Sequence, residues 1–146
     1  MDDLILLSDD HALLMSQVKH VMALTHVYGE RSADGAQLRE ETLKQSKELR
    51  SQLEAHFAFE ETTIFPKLEV EFPGAALRIQ QLVTSHGQVL RALEEYLGEL
   101  KLERPHSAEP RLLDAASAFE REFQAHVDTE AALFLELAGQ VLRTRA

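Results

Sequence analysis

Residues 124–134 read QAHVDTEAALF, and residues 54–65, about seventy positions earlier, read EAHFAFEETTIF. Each stretch sets a histidine four residues before a glutamate, His56 with Glu60 and His126 with Glu130. Side chains four apart stand one above the other on an α-helix. Each pair therefore presents an imidazole and a carboxylate side by side, a donor set suited to a metal ion. Both pairs also interrupt apolar stripes drawn at steps of three and four, so the faces that carry them point inward.

Working outward from the first pair, Leu49, Leu53, His56, Glu60, Ile64 and Leu68 predict a helix over 36–66. Pro66 is expected to kink its last turn, and Phe72, Pro73 and Gly74 to close the segment. Around the second pair, Leu112, Ala116, Phe119, Phe123, His126, Glu130, Leu133 or Phe134, Leu137 and Val141 predict a helix over 111–142. Between them, Ile79, Leu82 or Val83, His86, Val89 or Leu90, Leu93 and Leu97 predict one over 75–102. Near the N-terminus, Leu7, His11, Leu14 or Met15, Val18 and Met22 predict a helix over 8–28, with Ser8, Asp9 and Asp10 as capping residues. The connections are residues 29–35, GERSADG, and residues 103–110, ERPHSAEP. Four long helices with short connections predict an all-α, up-down-up-down antiparallel four-helix bundle forming one domain over 1–146. Phe57, Phe59, Phe65, Phe119, Phe123 and Phe134 are expected to pack the core.

In such a bundle, residues on neighbouring helices share a level when they are equally far from the connecting turn. Counting from turns centred near residues 33, 73 and 107, His11, His56, His86 and His126 differ in level by roughly 0 to 6 Å at 1.5 Å per residue. His20 and His26 lie roughly 14 to 22 Å from that level, and His106 falls in a connection. Four histidines, one per helix, therefore converge with Glu60 and Glu130 on one layer of the core. Without a metal, that layer would be a poorly satisfied polar core.

Composition narrows the function classes. Apolar residues make up 45% and charged residues 27%, as in a globular chain rather than a disordered one. The net charge of −10 opposes binding to a phosphate backbone, so no nucleic-acid partner is expected. With no cysteine there is no thiolate nucleophile, disulfide or cysteine-held cluster. The opening MDDLILLSDD is acidic where a secretion signal is basic, and no apolar run is long enough for a bilayer. A cytoplasmic location and no membrane partner are expected.

The segments SDDHALL around His11, LEAHFAFEETTIFPKLE around His56 and Glu60, LVTSHGQVLRAL around His86, and FQAHVDTEAALFLEL around His126 and Glu130 resemble the hemerythrin-like family, the HHE cation-binding domains. They come in the family's order and spacing and cover essentially the whole chain. The resemblance implies a bundle holding two irons, with His11, His56, His86 and His126 as terminal ligands. Glu60, Glu130 and an oxo or hydroxo species would bridge the metals. The family's oxygen carriers have a fifth histidine four residues from the one on the third helix. Here those positions are Leu82 and Leu90. The carriers also use an aspartate five residues after the last histidine, where this chain has Glu130 at four.

The function expected is that of a non-haem di-iron protein that binds dioxygen, peroxide or nitric oxide. Occupancy by one iron, or by another divalent metal such as zinc or manganese, uses the same donors. Two other readings stay open: an iron-responsive regulatory or iron-handling module whose stability depends on metal, and a structural bundle without metal. Turnover and oligomeric state are left open as well.

Overall fold

Every regular element among the described residues of the computed structural model, 2–30, 35–102 and 109–145, is helical, and no strand occurs there. Helix α1 spans Asp2–Glu30. Helix α2, Gly35–Phe59, runs through a π turn at Glu60–Ile64 into α3, Phe65–Glu71. A 3₁₀ turn at Pro73–Ala75 leads into α4, Ala76–Lys101, and α5 spans Glu109–Arg145. Helix α1 packs on α2 and α5, and α4 packs on the same two, which closes a four-membered ring with α2 and α3 as one member. The fold is the expected all-α four-helix bundle. His106 and the middles of both expected connections, 31–34 and 103–108, lie outside the described residues.

Two boundaries differ from expectation in ways that bear on the site. Helix α1 begins at Asp2, so Ser8, Asp9 and Asp10 are interior rather than capping positions. The second helix does not end at Pro66 but continues to Glu71. Proline lacks an amide proton and its ring crowds the carbonyl four residues back. The β-branched run Thr62, Thr63, Ile64 weakens α geometry just before it. The chain accommodates both by widening: the amide of Phe65 donates to the carbonyl of Glu60, five residues back. Thr62 adds a donor there, its hydroxyl reaching the Ala58 carbonyl at 2.7 Å.

The interior has two apolar clusters with a polar layer between them. The larger includes Leu14, Val18, Leu49, Leu53, Phe57, Val89, Leu93, Phe119 and Phe123. The smaller, around the α3–α4 turn, includes Ile64, Phe65, Leu68, Ile79, Leu82, Leu133 and Leu137. Each fully buried large apolar side chain contributes roughly 1.5–3 kcal/mol. Phe59 departs from its expected core role and is 43% exposed, because it sits two residues from the inward-facing Phe57. Tyr96 is fully buried in the larger cluster, its hydroxyl 2.6 Å from Thr25 and 3.1 Å from Ser46. Those hydroxyls donate to the carbonyls of Val21 and Thr42. Tyr96 has a single proton to give to one of the two, and its contacts with both link α4 to α1 and α2. Among the described residues, no helix is long and apolar enough to cross a membrane.

Candidate metal centre

The polar layer contains all six residues singled out from the sequence. His11 comes from α1, His56 from the last turn of α2, Glu60 from the start of the π turn, His86 from α4, and His126 and Glu130 from α5. They form two overlapping clusters. His11 and His56 share one with Glu60 and Glu130, while His86 and His126 share the other with the same two glutamates. In each, four potential ligand atoms lie within 4.8 Å of one another. His20 and His26 are exposed, as expected, and take no part.

The inner nitrogens crowd the carboxylates. Nε2 of His11 is 2.7 Å from Oε1 of Glu130, and Nε2 of His126 is 3.1 Å from Oε2 of the same residue. Oε1 of Glu60 lies 3.3 Å from Nε2 of His56 and 3.2 Å from Nε2 of His86. None of these approaches has hydrogen-bond geometry. The four Nε2 atoms and all four carboxylate oxygens are buried without a hydrogen-bond partner. Both glutamates are fully buried, and a buried carboxylate without a partner costs several kcal/mol. Lone pairs that converge at ligand spacing but miss one another fit a cation between them, and the donor set of imidazole and carboxylate fits iron.

The outer nitrogens have partners that periodicity does not reveal. Ser85 donates its hydroxyl proton to the Leu82 carbonyl at 3.0 Å and also contacts Nδ1 of His126. With its proton so used, Ser85 accepts from Nδ1–H, which leaves the His126 lone pair on Nε2, facing inward. Nδ1 of His56 is 3.7 Å from Asp10, the residue displaced from its expected capping role. Nδ1 of His86 is 3.5 Å from Glu61. Only chain neighbourhood marked these residues beforehand: Asp10 precedes His11, Ser85 precedes His86 and Glu61 follows Glu60. Phe57 and Phe65 both stack on His86, at centroid distances of 3.9 and 5.7 Å.

Burial dominates the titration of the metal-free centre. It lowers His56 to about 4, with help from His11, and His86 to about 3, with help from His126. These imidazoles stay neutral at pH 7, the form that binds metal. Burial, reinforced by Glu130, pushes Glu60 up to about 11. Burial acts on Glu130 in the same sense, but its contacts with His11 and His126 prevail and hold it below the ordinary carboxylate range.

These shifts set a pH profile. Between about pH 4.5 and 6.5, the unfolded chain protonates His56 and His86 while the folded one keeps a proton on Glu60. The unfolded state then binds the greater number, so stability rises with pH. Above about 6.5 only the Glu60 difference remains, the folded state binds more protons, and stability falls. The melting temperature of metal-free protein is expected to peak near pH 6.5. A profile that keeps rising through pH 8 would contradict this assignment.

No curated protein and no solved structure matches the chain. A family model, the Hemerythrin HHE cation binding domain, matches residues 3–138 and so takes in both four-donor clusters. The chain belongs to the hemerythrin HHE cation-binding domain family.

Proposed function

We propose that this chain is a non-haem di-iron protein that binds dioxygen or a related small ligand, peroxide or nitric oxide, in the bundle core. The observation that carries the proposal is the pair of four-donor clusters sharing Glu60 and Glu130. His11 and His56 would hold one iron, His86 and His126 the other, and the two glutamates would bridge them. Iron held there supplies ferrous–ferric redox chemistry and a coordination position open to a small ligand.

The chain's own residues prepare that chemistry. Glu60 and Glu130 offset cationic charge inside an apolar interior, and His56 and His86, held neutral by burial, supply nitrogen lone pairs. Phe57 and Phe65 cover the faces of His86 and restrict water on that side. Leu82 and Leu90, four residues to either side of His86, pack in the smaller apolar cluster and against the larger one, so hydrocarbon stands at both candidate positions of the carriers' fifth histidine. His11 is the least buried donor, its side chain 12% exposed, so metal and ligand exchange are expected from the α1 side.

A second reading has its own support. Eight unpartnered donor and acceptor atoms in one layer make the metal-free bundle costly, which favours a module whose folding reports metal availability.

The test is elemental analysis of protein purified without added metal or a metal-binding tag, followed by anaerobic ferrous loading and exposure to each small ligand. About two irons per chain, one for each cluster, are expected, with absorption changes on exposure. No iron uptake, or ferrous protein whose spectrum is indifferent to dioxygen, peroxide and nitric oxide, would overturn the proposal.

A further inference from the structure

His86 is gripped from both sides by consecutive residues. Its Nε2 lies 3.2 Å from Oε1 of Glu60, and its Nδ1 lies 3.5 Å from Oε2 of Glu61. On a regular α-helix these two carboxylates would diverge by about 100°. Here the π turn begins at Glu60, and its wider turn narrows the angle between successive side chains. Regular helical spacing turns Glu61 away from the face that carries Glu60, and the approach to His86 occurs where the backbone departs from that spacing.

The two stacked phenylalanines, lying 11° and 16° from the His86 plane, fix that plane. Stacking on the faces cannot decide which ring nitrogen carries the proton. That choice belongs to groups at the ring edge. Nδ1 is buried with no hydrogen bond in place, and Glu61 stands at the outer limit of hydrogen-bond distance. The carboxylate is 39% exposed while the ring is 3% exposed, so Glu61 has the freedom to close that gap. Ser85 already makes the equivalent contact to Nδ1 of His126.

We propose that Glu61 is a positioning residue for His86: it accepts from Nδ1–H and so holds the tautomer whose Nε2 lone pair faces the cluster. Outer carboxylate partners of this kind orient a ligand histidine and raise its basicity. The inference deepens the metal-binding reading and rests on it for one of its two readouts.

The experiment compares wild type with Glu61→Ala and Glu61→Gln, both conservative for folding at a partly exposed position. In metal-free protein, ¹⁵N NMR of the histidine rings reads the tautomer of His86 directly. Wild type is expected to carry the proton on Nδ1, Glu61→Ala to shift it toward Nε2, and Glu61→Gln to keep it on Nδ1 because the amide oxygen still accepts. In anaerobic titrations with cobalt(II), Glu61→Ala is expected to weaken binding about 10- to 100-fold, and Glu61→Gln to recover most of that loss. An alanine variant with the wild-type tautomer and cobalt affinity would overturn the proposal. So would alanine and glutamine variants equally impaired, since the side chain would then act by charge alone. If wild type itself takes up no cobalt, the metal reading falls, and the tautomer measurement still judges Glu61.

Discussion

Stripping the metal is expected to lower the melting temperature by about 12 °C for each site emptied. A ligand held at about 1,000 times its dissociation constant stabilises the folded state by about 4 kcal/mol per site. For a domain of this size, each kcal/mol moves the midpoint by roughly 3 °C. The structural cause is specific. Metal removal leaves four imidazole nitrogens and four carboxylate oxygens buried without partners, between two apolar clusters that close around them. Calorimetry on protein before and after anaerobic chelation, and again after adding back ferrous iron, makes the measurement. A reversible loss of that size would support iron-dependent folding. Identical melting curves would remove metal from any account of stability and take the regulatory reading with it.

The second large effect has the opposite sign in the metal-free state. Replacing His56 and Glu60 together by leucine is expected to abolish metal binding and yet raise the stability of the metal-free protein by about 1–4 kcal/mol, because well-packed apolar residues replace buried groups that need a cation. Glu60 is the pivotal residue. It belongs to both clusters, it is fully buried, and its carboxyl is pushed up to about 11, so the metal-free fold holds it as the neutral acid. Leucine at both positions would join Leu53 and Phe57 on one side to Ile64 and Leu82 on the other. Urea unfolding of both metal-free proteins, with elemental analysis of each as purified, tests the prediction. A variant that keeps its metal would mean the site lies elsewhere. A variant that unfolds at lower urea would mean the polar layer holds the bundle together through its own contacts.

Taken with the Glu61 variants, these experiments separate three levels of the site. Metal removal addresses occupancy, the double leucine variant addresses the donors, and Glu61 addresses their orientation. The pH profile of the wild-type metal-free protein adds a check on the donors themselves, because it depends chiefly on burial setting His56 and His86 low and Glu60 high.

Much of the centre was legible because polar residues on an apolar helical face have few places to go. His56, Glu60, His126 and Glu130 interrupt stripes of leucine and phenylalanine at helical spacing, and a stripe must face the core. Counting residues from each turn then brings His11 and His86 to the same level, since every helix advances by the same rise. Neither step needs a coordinate.

Tyr96 shows where that logic thins. It lies three residues after Leu93 and next to Leu97, on a face that leucines already fill, so spacing alone does not single it out. Its full burial depends on Thr25 and Ser46, from two other helices, meeting its hydroxyl. Phe59 failed in the other direction: its type suggested the core, but its position beside Phe57 turned it to solvent.

The sequence by itself determined the helices, their order, and the six residues that converge, because periodicity and rise are local properties of the backbone. Only the tertiary structure decided how those residues are held. The π turn that opens at Glu60 follows from a proline and a β-branched run meeting a packed core, and it brings Glu61 to the far side of His86. The extension of α1 to Asp2 turned Asp10 from an expected cap into a neighbour of His56. Which nitrogen of a ring faces inward depends on contacts its edge makes with residues on other elements, and spacing along one chain carries no record of them.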